Sequence, residues 1–179
     1  MSISEDTTWE GRAVRLTWWP GCRPRPDETV SQVSGLCFTA EGHIVLVSQD
    51  GKTWSLPGGK PEGDETWEET LRREVTEEAC AEVLSCLLLG SQRVEGLTAE
   101  PYHQLRFWAR VGLNPFRPAF ETRHRKTIPA EEFSRVLAWG AGSVGQALLG
   151  QALGIERELR GRACQDTSSR AAPDRLPEV

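Results

Sequence analysis

Apolar positions along this chain fall into short strand-like runs, interrupted once by a strongly helical stretch near the middle. From Thr29 to Phe38 the pattern is β-like, and His43 to Val47 is a compact apolar run, with Glu41-Gly42 between them as a hairpin turn. Asp50-Gly51 predicts another turn and Thr53 to Leu56 a short strand. Pro57-Gly58-Gly59 predicts a loop, because neither strand nor helix continues easily through it. The period becomes helical from about Thr66 to Cys80, with Gly63-Asp64 as the expected cap and Glu65 and Glu68 near the positive end of the helix dipole. Glu82 to Val94, Tyr102 to Leu113 and Lys126 to Ile128 read as strands. Pro129-Ala130-Glu131-Glu132 opens a helix, and Val144 to Leu159 forms another. Residues 1–28, rich in Pro, Trp and Arg, read as an N-terminal arm with a short strand at Ala13 to Thr17. Residues 161–179 read as a flexible, solvated tail, which leaves one domain over residues 29–160.

Composition supports a folded domain. Of 179 residues, 38% are hydrophobic and 26% charged, enough to fill one core and too few for two domains. The net charge of −5 provides no basic field for a nucleic-acid duplex. There is no secretory leader pattern and no apolar run long enough to span a membrane, so a cytoplasmic protein without membrane contact is expected. Five scattered cysteines without a CxxC pair fit reduced thiols better than disulfides or a zinc site. Trp9, Trp18 and Trp19 in the arm could serve a homodimer contact.

The chemistry is concentrated in GGKPEGDETWEETLRREVTEEACAE, residues 58–82. On a helical wheel Trp67, Leu71, Val75 and Ala79 form an apolar arc, and Glu78 falls between Trp67 and Leu71 with Glu74 and Glu77 beside it. Glutamates at i, i+3 and i+4 repel one another, and a carboxylate at the core margin aggravates this; a bound cation would resolve the conflict. Oxygen-only ligands select a hard ion, Mg²⁺ or Mn²⁺, which binds few carboxylates and completes its shell on substrate phosphates. Arg73, one turn from both Glu69 and Glu77, can tie the carboxylates in orientation.

Gly59-x5-Glu65-x7-Arg73-Glu74-Val75-x-Glu77-Glu78 resembles the Nudix box, agreeing at seven specified positions. Cys80 stands where that pattern has Gly, and Ala81 is a weak aliphatic; because a left-handed Cys is strained, a modified helix end is expected. The order of elements from Thr29 to Leu159 is similar to the Nudix domain as well. The resemblance implies an α/β fold, an α/β/α sandwich around a mixed β-sheet, and Mg²⁺-dependent hydrolysis of a nucleoside diphosphate linked to another group. It further implies that Glu74, Glu77 and Glu78 ligate metal with a main-chain carbonyl near Gly58 or Gly59, while Glu65 and Arg73 brace the loop. The general base is open between Glu74 and Glu121, with Glu100 behind them. A catalytically silent nucleotide sensor on the same fold is the alternative. A prenyl diphosphate isomerase would want a reactive cysteine near the substrate, for which Cys37 is poorly placed.

The substrate partner is expected to be a small phosphorylated molecule. Alternation places Tyr102, Gln104, Arg106, Trp108 and Arg110 on one face of a strand, which could hold a base and phosphates or be covered by a helix. Arg123-His124-Arg125-Lys126 reads either as phosphate-facing or as a solvated charge run, and His43 and His103 read as structural.

Overall fold

The computed structural model describes residues 1–170, with side chains as far as residue 161. Its strands are β1 (Ile3–Trp9), β2 (Arg12–Pro20), β3 (Val30–Phe38), β4 (Ile44–Ser48), β5 (Gly58–Gly59), β6 (Ala81–Glu95), β7 (Tyr102–Leu113) and β8 (His124–Ile128). Its helices are α1 (Trp67–Ala79), α2 (Phe133–Val136), which follows a 3-10 turn, and α3 (Ser143–Arg170).

Among the described residues the eight strands form one sheet in the order β1-β2-β6-β7-β3-β4-β8, with the two-residue β5 paired to β3. Only β3 and β7 run parallel; the other pairings are antiparallel, so the sheet is mixed. Each face carries its own core. On one, Leu71, Val75 and Ala79 of α1 pack on Val33, Cys37, Val45, Leu105 and Phe107. On the other, Val144, Leu148 and Ala152 of α3 pack with Trp18, Phe38, Ile44 and Trp108. The α/β/α layering is the expected one, and the helical wheel of α1 has its apolar arc inward.

The ends of the chain differ from expectation. Residues 1–28 do not form a separate arm: β1 and β2 are a hairpin that extends the sheet through β6, with Trp18 paired opposite Gln92. Val14, Leu16 and Trp18 alternate into the core, and Trp18 is wholly buried. Trp19 packs against His103 at 5.9 Å between ring centroids, so of the three arm tryptophans only Trp9 is exposed. At the other end α3 continues to Arg170, past the expected stop at Leu159 and into the expected tail; residues 171–179 of that tail lie outside the described residues. No helix among the described residues is long and apolar enough to cross a membrane.

Candidate active site

The site is built where β5, α1 and the loop before β8 meet. α1 is capped by Thr66, not by the expected Gly63-Asp64. The Thr66 hydroxyl accepts from the Glu69 amide while the Glu69 carboxylate accepts from the Thr66 amide, a capping box. The helix ends at Cys80, which adopts the left-handed conformation itself, with φ 46° and ψ 50°. The expected modification of the helix end is therefore not found: Cys80 takes the backbone state that glycine would take. Arg125 of β8 supports that end by donating to the carbonyls of Ala79 at 2.6 Å, Cys80 at 3.2 Å and Asn114 at 3.0 Å. α1 has no basic residue in its own last turn, so a cation from another strand meets its negative pole. Lys126 lies 4.0 Å over the Trp54 ring, so Arg125 and Lys126 of the basic run are engaged while Arg123 and His124 are exposed.

Arg73 is the hub of the carboxylates. Its Nε donates to Glu65 Oε1 at 2.7 Å and its Nη2 to Glu65 Oε2 at 3.1 Å, a two-point fork; Nη1 donates to Glu74 at 2.8 Å and to Glu77 at 3.3 Å. Nη2 also donates to the Lys60 carbonyl at 3.0 Å, which anchors the loop before the helix. This fork holds the Glu65 carboxyl down at about 2, and Glu65 in turn raises Arg73. Glu74 titrates above the ordinary carboxylate range, chiefly because it is buried and secondarily because Glu77 repels it, against the pull of Arg73.

Glu78 points away from Arg73. Its carboxylate accepts from the Gly58 amide at 2.8 Å and from the Thr122 hydroxyl at 3.4 Å. Burial pushes its pKa up to about 7, with repulsion from Glu74 and Glu121 adding to the rise. Two glycines permit this approach. A Cβ at Gly59 would collide with the Glu74 carboxylate, and one at Gly58 would collide with Ser34 and the Val33 carbonyl. Among the described residues no three His, Cys, Asp or Glu side chains are arranged to hold a metal ion as they stand. The donor set nonetheless fits a hard divalent cation. Glu74, Glu77, Glu78 and the Gly59 carbonyl offer only oxygens, and of the three carboxylates on one helix face Glu74 and Glu77 share the Arg73 guanidinium while Glu78 has no cationic partner among the described residues.

The remaining sequence candidates separate. Glu121 is exposed on the loop before β8, close enough for its charge to act on Glu78, and its Oε2 accepts from Gln49 at 3.2 Å. Glu100 lies in the exposed β6–β7 turn. Tyr102, Gln104 and Arg106 line a cavity of about 610 Å³ on the α3 face. Trp108, expected on the same wall, does not line it: it is buried beneath α3, its indole N–H donating to Glu156 at 2.8 Å. The alternation was right, but Trp108 falls on the part of β7 that α3 covers. Sequence reasoning missed Thr122, Arg125 as a helix-end partner, and the walls that Trp9, Leu16 and Trp139 give the cavity. For Leu16 alone a signal existed, in the alternation of Val14, Leu16 and Trp18.

The NUDIX domain family matches residues 28–139, most of the sheet together with α1 and the carboxylates. The chain belongs to the NUDIX family. It is thereby placed among hydrolases acting on phosphoric anhydride bonds, the class that the box resemblance implied. The fold is similar to that of the pyrophosphohydrolase BsRppH of Bacillus subtilis, with 23% identity over 84% of this chain and 97% of that one and a TM-score of 0.65. It is also similar to a NUDIX hydrolase from Nitrosomonas europaea (17% identity, 71% and 90% covered, TM-score 0.56) and to the mutator protein MutT from Bacillus halodurans (20%, 66% and 80%, 0.54). No curated protein matches the chain in sequence. The NUDIX match excludes β1 and β2, which give the cavity one wall from Glu5 to Trp9 with Val14 and Leu16, and includes Gln104, Arg106 and Trp139 of its floor.

Proposed function

We propose that this protein is a Mg²⁺-dependent pyrophosphohydrolase that cleaves a nucleoside diphosphate linked to a second group. The observation carrying the reading is the crowding of Glu74, Glu77 and Glu78 beside β5, with Arg73 pairing Glu74 and Glu77 and no cation pairing Glu78 among the described residues. Glu74, Glu77, Glu78 and the Gly59 carbonyl would hold the ion, with Mn²⁺ as a substitute. A bound divalent cation supplies charge neutralisation on the diphosphate and a water of lowered pKa. Glu65 and Arg73 keep the loop and helix in register, so that the carboxylates need not reorganise when substrate binds. Of the two candidate bases, Glu121 suits the role of proton acceptor better. It is exposed and its Oε1 has no hydrogen bond among the described residues, whereas Glu74 is held by Arg73. Tyr102, Gln104 and Arg106 contact the nucleoside end from the cavity.

Assay of the full chain against nucleoside triphosphates, nucleotide sugars, ADP-ribose, dinucleoside polyphosphates and NADH in Mg²⁺ tests this reading. Release of a nucleoside monophosphate, lost in EDTA and lowered by at least about 10²-fold in Glu77→Gln, is the expected outcome. Turnover undiminished in EDTA would refute it.

A further inference from the structure

Resting on the reading of the α3-face cavity as the nucleoside site, we propose that it selects bases presenting a keto oxygen on the edge it reads over bases presenting an amino group there. The reason is that the two side chains at its floor, Arg106 and Gln104, present donors to it.

Arg106 forms that floor and is 6% exposed. Its Nη1 donates to the Ser34 hydroxyl, and its Nη2 donates to Gln104 Oε1 at 2.5 Å and Gln92 Oε1 at 3.4 Å. Its Nε is buried without a hydrogen-bond partner among the described residues. Every partner is neutral, so the guanidinium is buried with no carboxylate against it, an arrangement that a protein alone gains little by keeping. A guanidinium cannot accept, so Gln104 must turn its oxygen toward Arg106 and its amide N–H₂ away. Guanidinium and amide therefore both offer hydrogens.

Two acidic groups, Glu5 and Asp6, line the cavity as well, and among the described residues neither is paired with Arg106. Glu5 accepts from the Ser143 hydroxyl at 2.9 Å and from the Val144 amide at 3.3 Å, at the start of α3, and Asp6 pairs with Arg15 at 3.4 Å. Trp139, 5.4 Å from the guanidinium carbon at its ring centre, gives the floor a planar neighbour of the kind that aromatic bases stack on. A keto oxygen entering here accepts from the N–H groups that Gln104 and Arg106 turn to the cavity. An exocyclic amino group sets donor against donor beside an unbalanced positive charge.

Titration calorimetry of the full chain in Mg²⁺ with IMP and AMP tests the proposal for the N7 side of the purine, where IMP presents two acceptors, O6 and N7, and AMP presents the N6 amino donor beside N7; the two differ otherwise only in the hydrogen that IMP carries on N1. IMP is expected to bind at least about tenfold more tightly than AMP, and UMP more tightly than CMP. Arg106→Gln removes a buried charge whose partners are all neutral, and the IMP to AMP ratio should fall toward about one. If that variant fails to fold, Gln104→Glu carries the test: its carboxylate pairs with Arg106, occupies the donors and should erase the preference equally. Equal or tighter binding of AMP, a preference surviving the substitution, or no binding of any of these nucleotides would overturn the proposal. Hydrolysis of diphosphate substrates without an IMP preference would end this inference and leave the hydrolase reading standing. A clear IMP preference in a protein that hydrolyses nothing would do the reverse.

Discussion

On the α1 face of the sheet, Glu65, Glu74 and Glu77 share one guanidinium, Arg73, and Glu78 turns away from it to the Gly58 amide; on the α3 face, Arg106 is paired with no carboxylate among the described residues. Glu156, also on the α3 face, provides the control. It is almost fully buried, yet Arg110 pairs with both its oxygens at 2.7 Å and Trp108 donates to it at 2.8 Å, so its charge is balanced within the protein. Buried charge in this fold is thus neutralised where only structure is at stake. It is left unbalanced, with opposite signs, at the two places where a cation and an acceptor-rich ligand would complete the site. Local strain of this electrostatic kind costs stability, and the cost is removed when ligand binds.

The largest expected effect removes the imbalance on the α1 face. In Glu78→Gln the amide oxygen can still accept from Gly58 and the amide nitrogen can meet Thr122, so the contacts survive while the charge does not. Turnover should fall by about 10²-fold or more, because an amide is a poor ligand for a hard cation. The melting temperature in EDTA should equal or exceed that of wild type, and the gain on adding saturating Mg²⁺ should shrink. A variant clearly destabilised in EDTA would mean that Glu78 is a structural acceptor, and the contrast between the faces would collapse.

A smaller effect should appear in the pH dependence of the metal-free protein. Glu78 titrates near 7 when folded against 4.5 ordinarily, so between those values the folded state binds the extra proton. Folding is then favoured at low pH, and this contribution is fully present below 4.5 and lost as pH rises through about 7. Glu74 is shifted in the same direction, whereas His103, lowered mainly by burial, runs the opposite way in the same window. The readout is therefore a difference. In EDTA, the melting temperature of Glu78→Gln minus that of wild type should grow from about pH 5 to about pH 8. A difference independent of pH would show that the Glu78 carboxyl is not strained.

The two faces also differ in how far they could be read in advance. The α1 face was legible because its chemistry lies within one helix and the loop before it. There the wheel already puts Glu78 between Trp67 and Leu71, and the spacing of Gly59, Glu65 and Arg73 carries the box. The cavity was not legible as a whole, because it exists only through the register Trp18, Gln92, Gln104 across β2, β6 and β7 and through Trp139 ahead of α3. No local pattern encodes that assembly. The polar, Pro-rich start of the chain also disguised β1 and β2, whose burial is one-sided and whose outer residues read as solvated. Arg125 shows the same limit, since a basic run in sequence says nothing of a helix terminus arriving from elsewhere.

The smallest effect concerns the geometry of the α1 face with its charges left alone. Cys80 holds a left-handed backbone at φ 46°, a state that brings Cβ against the backbone and costs a non-glycine residue about 1 to 2 kcal/mol. Cys80→Gly removes that strain. It also frees the unfolded chain, at a cost of roughly 0.5 to 1 kcal/mol, and deletes the 3.4 Å contact from Sγ to the Arg117 carbonyl, a weak bond on an exposed loop. The balance favours the variant by about 0.5 kcal/mol, which for a domain of this size raises the melting temperature by about 1 to 2 °C. Because the Cys80 amide donates to the Thr76 carbonyl and Arg125 to the Cys80 carbonyl, both through backbone atoms that glycine retains, turnover should not change. Thermal melts of the two proteins in Mg²⁺ decide it. A loss of several degrees would mean that the thiol is a packing element of the α1 face, which would then owe its shape to Cys80 as well as to the balance of its carboxylates.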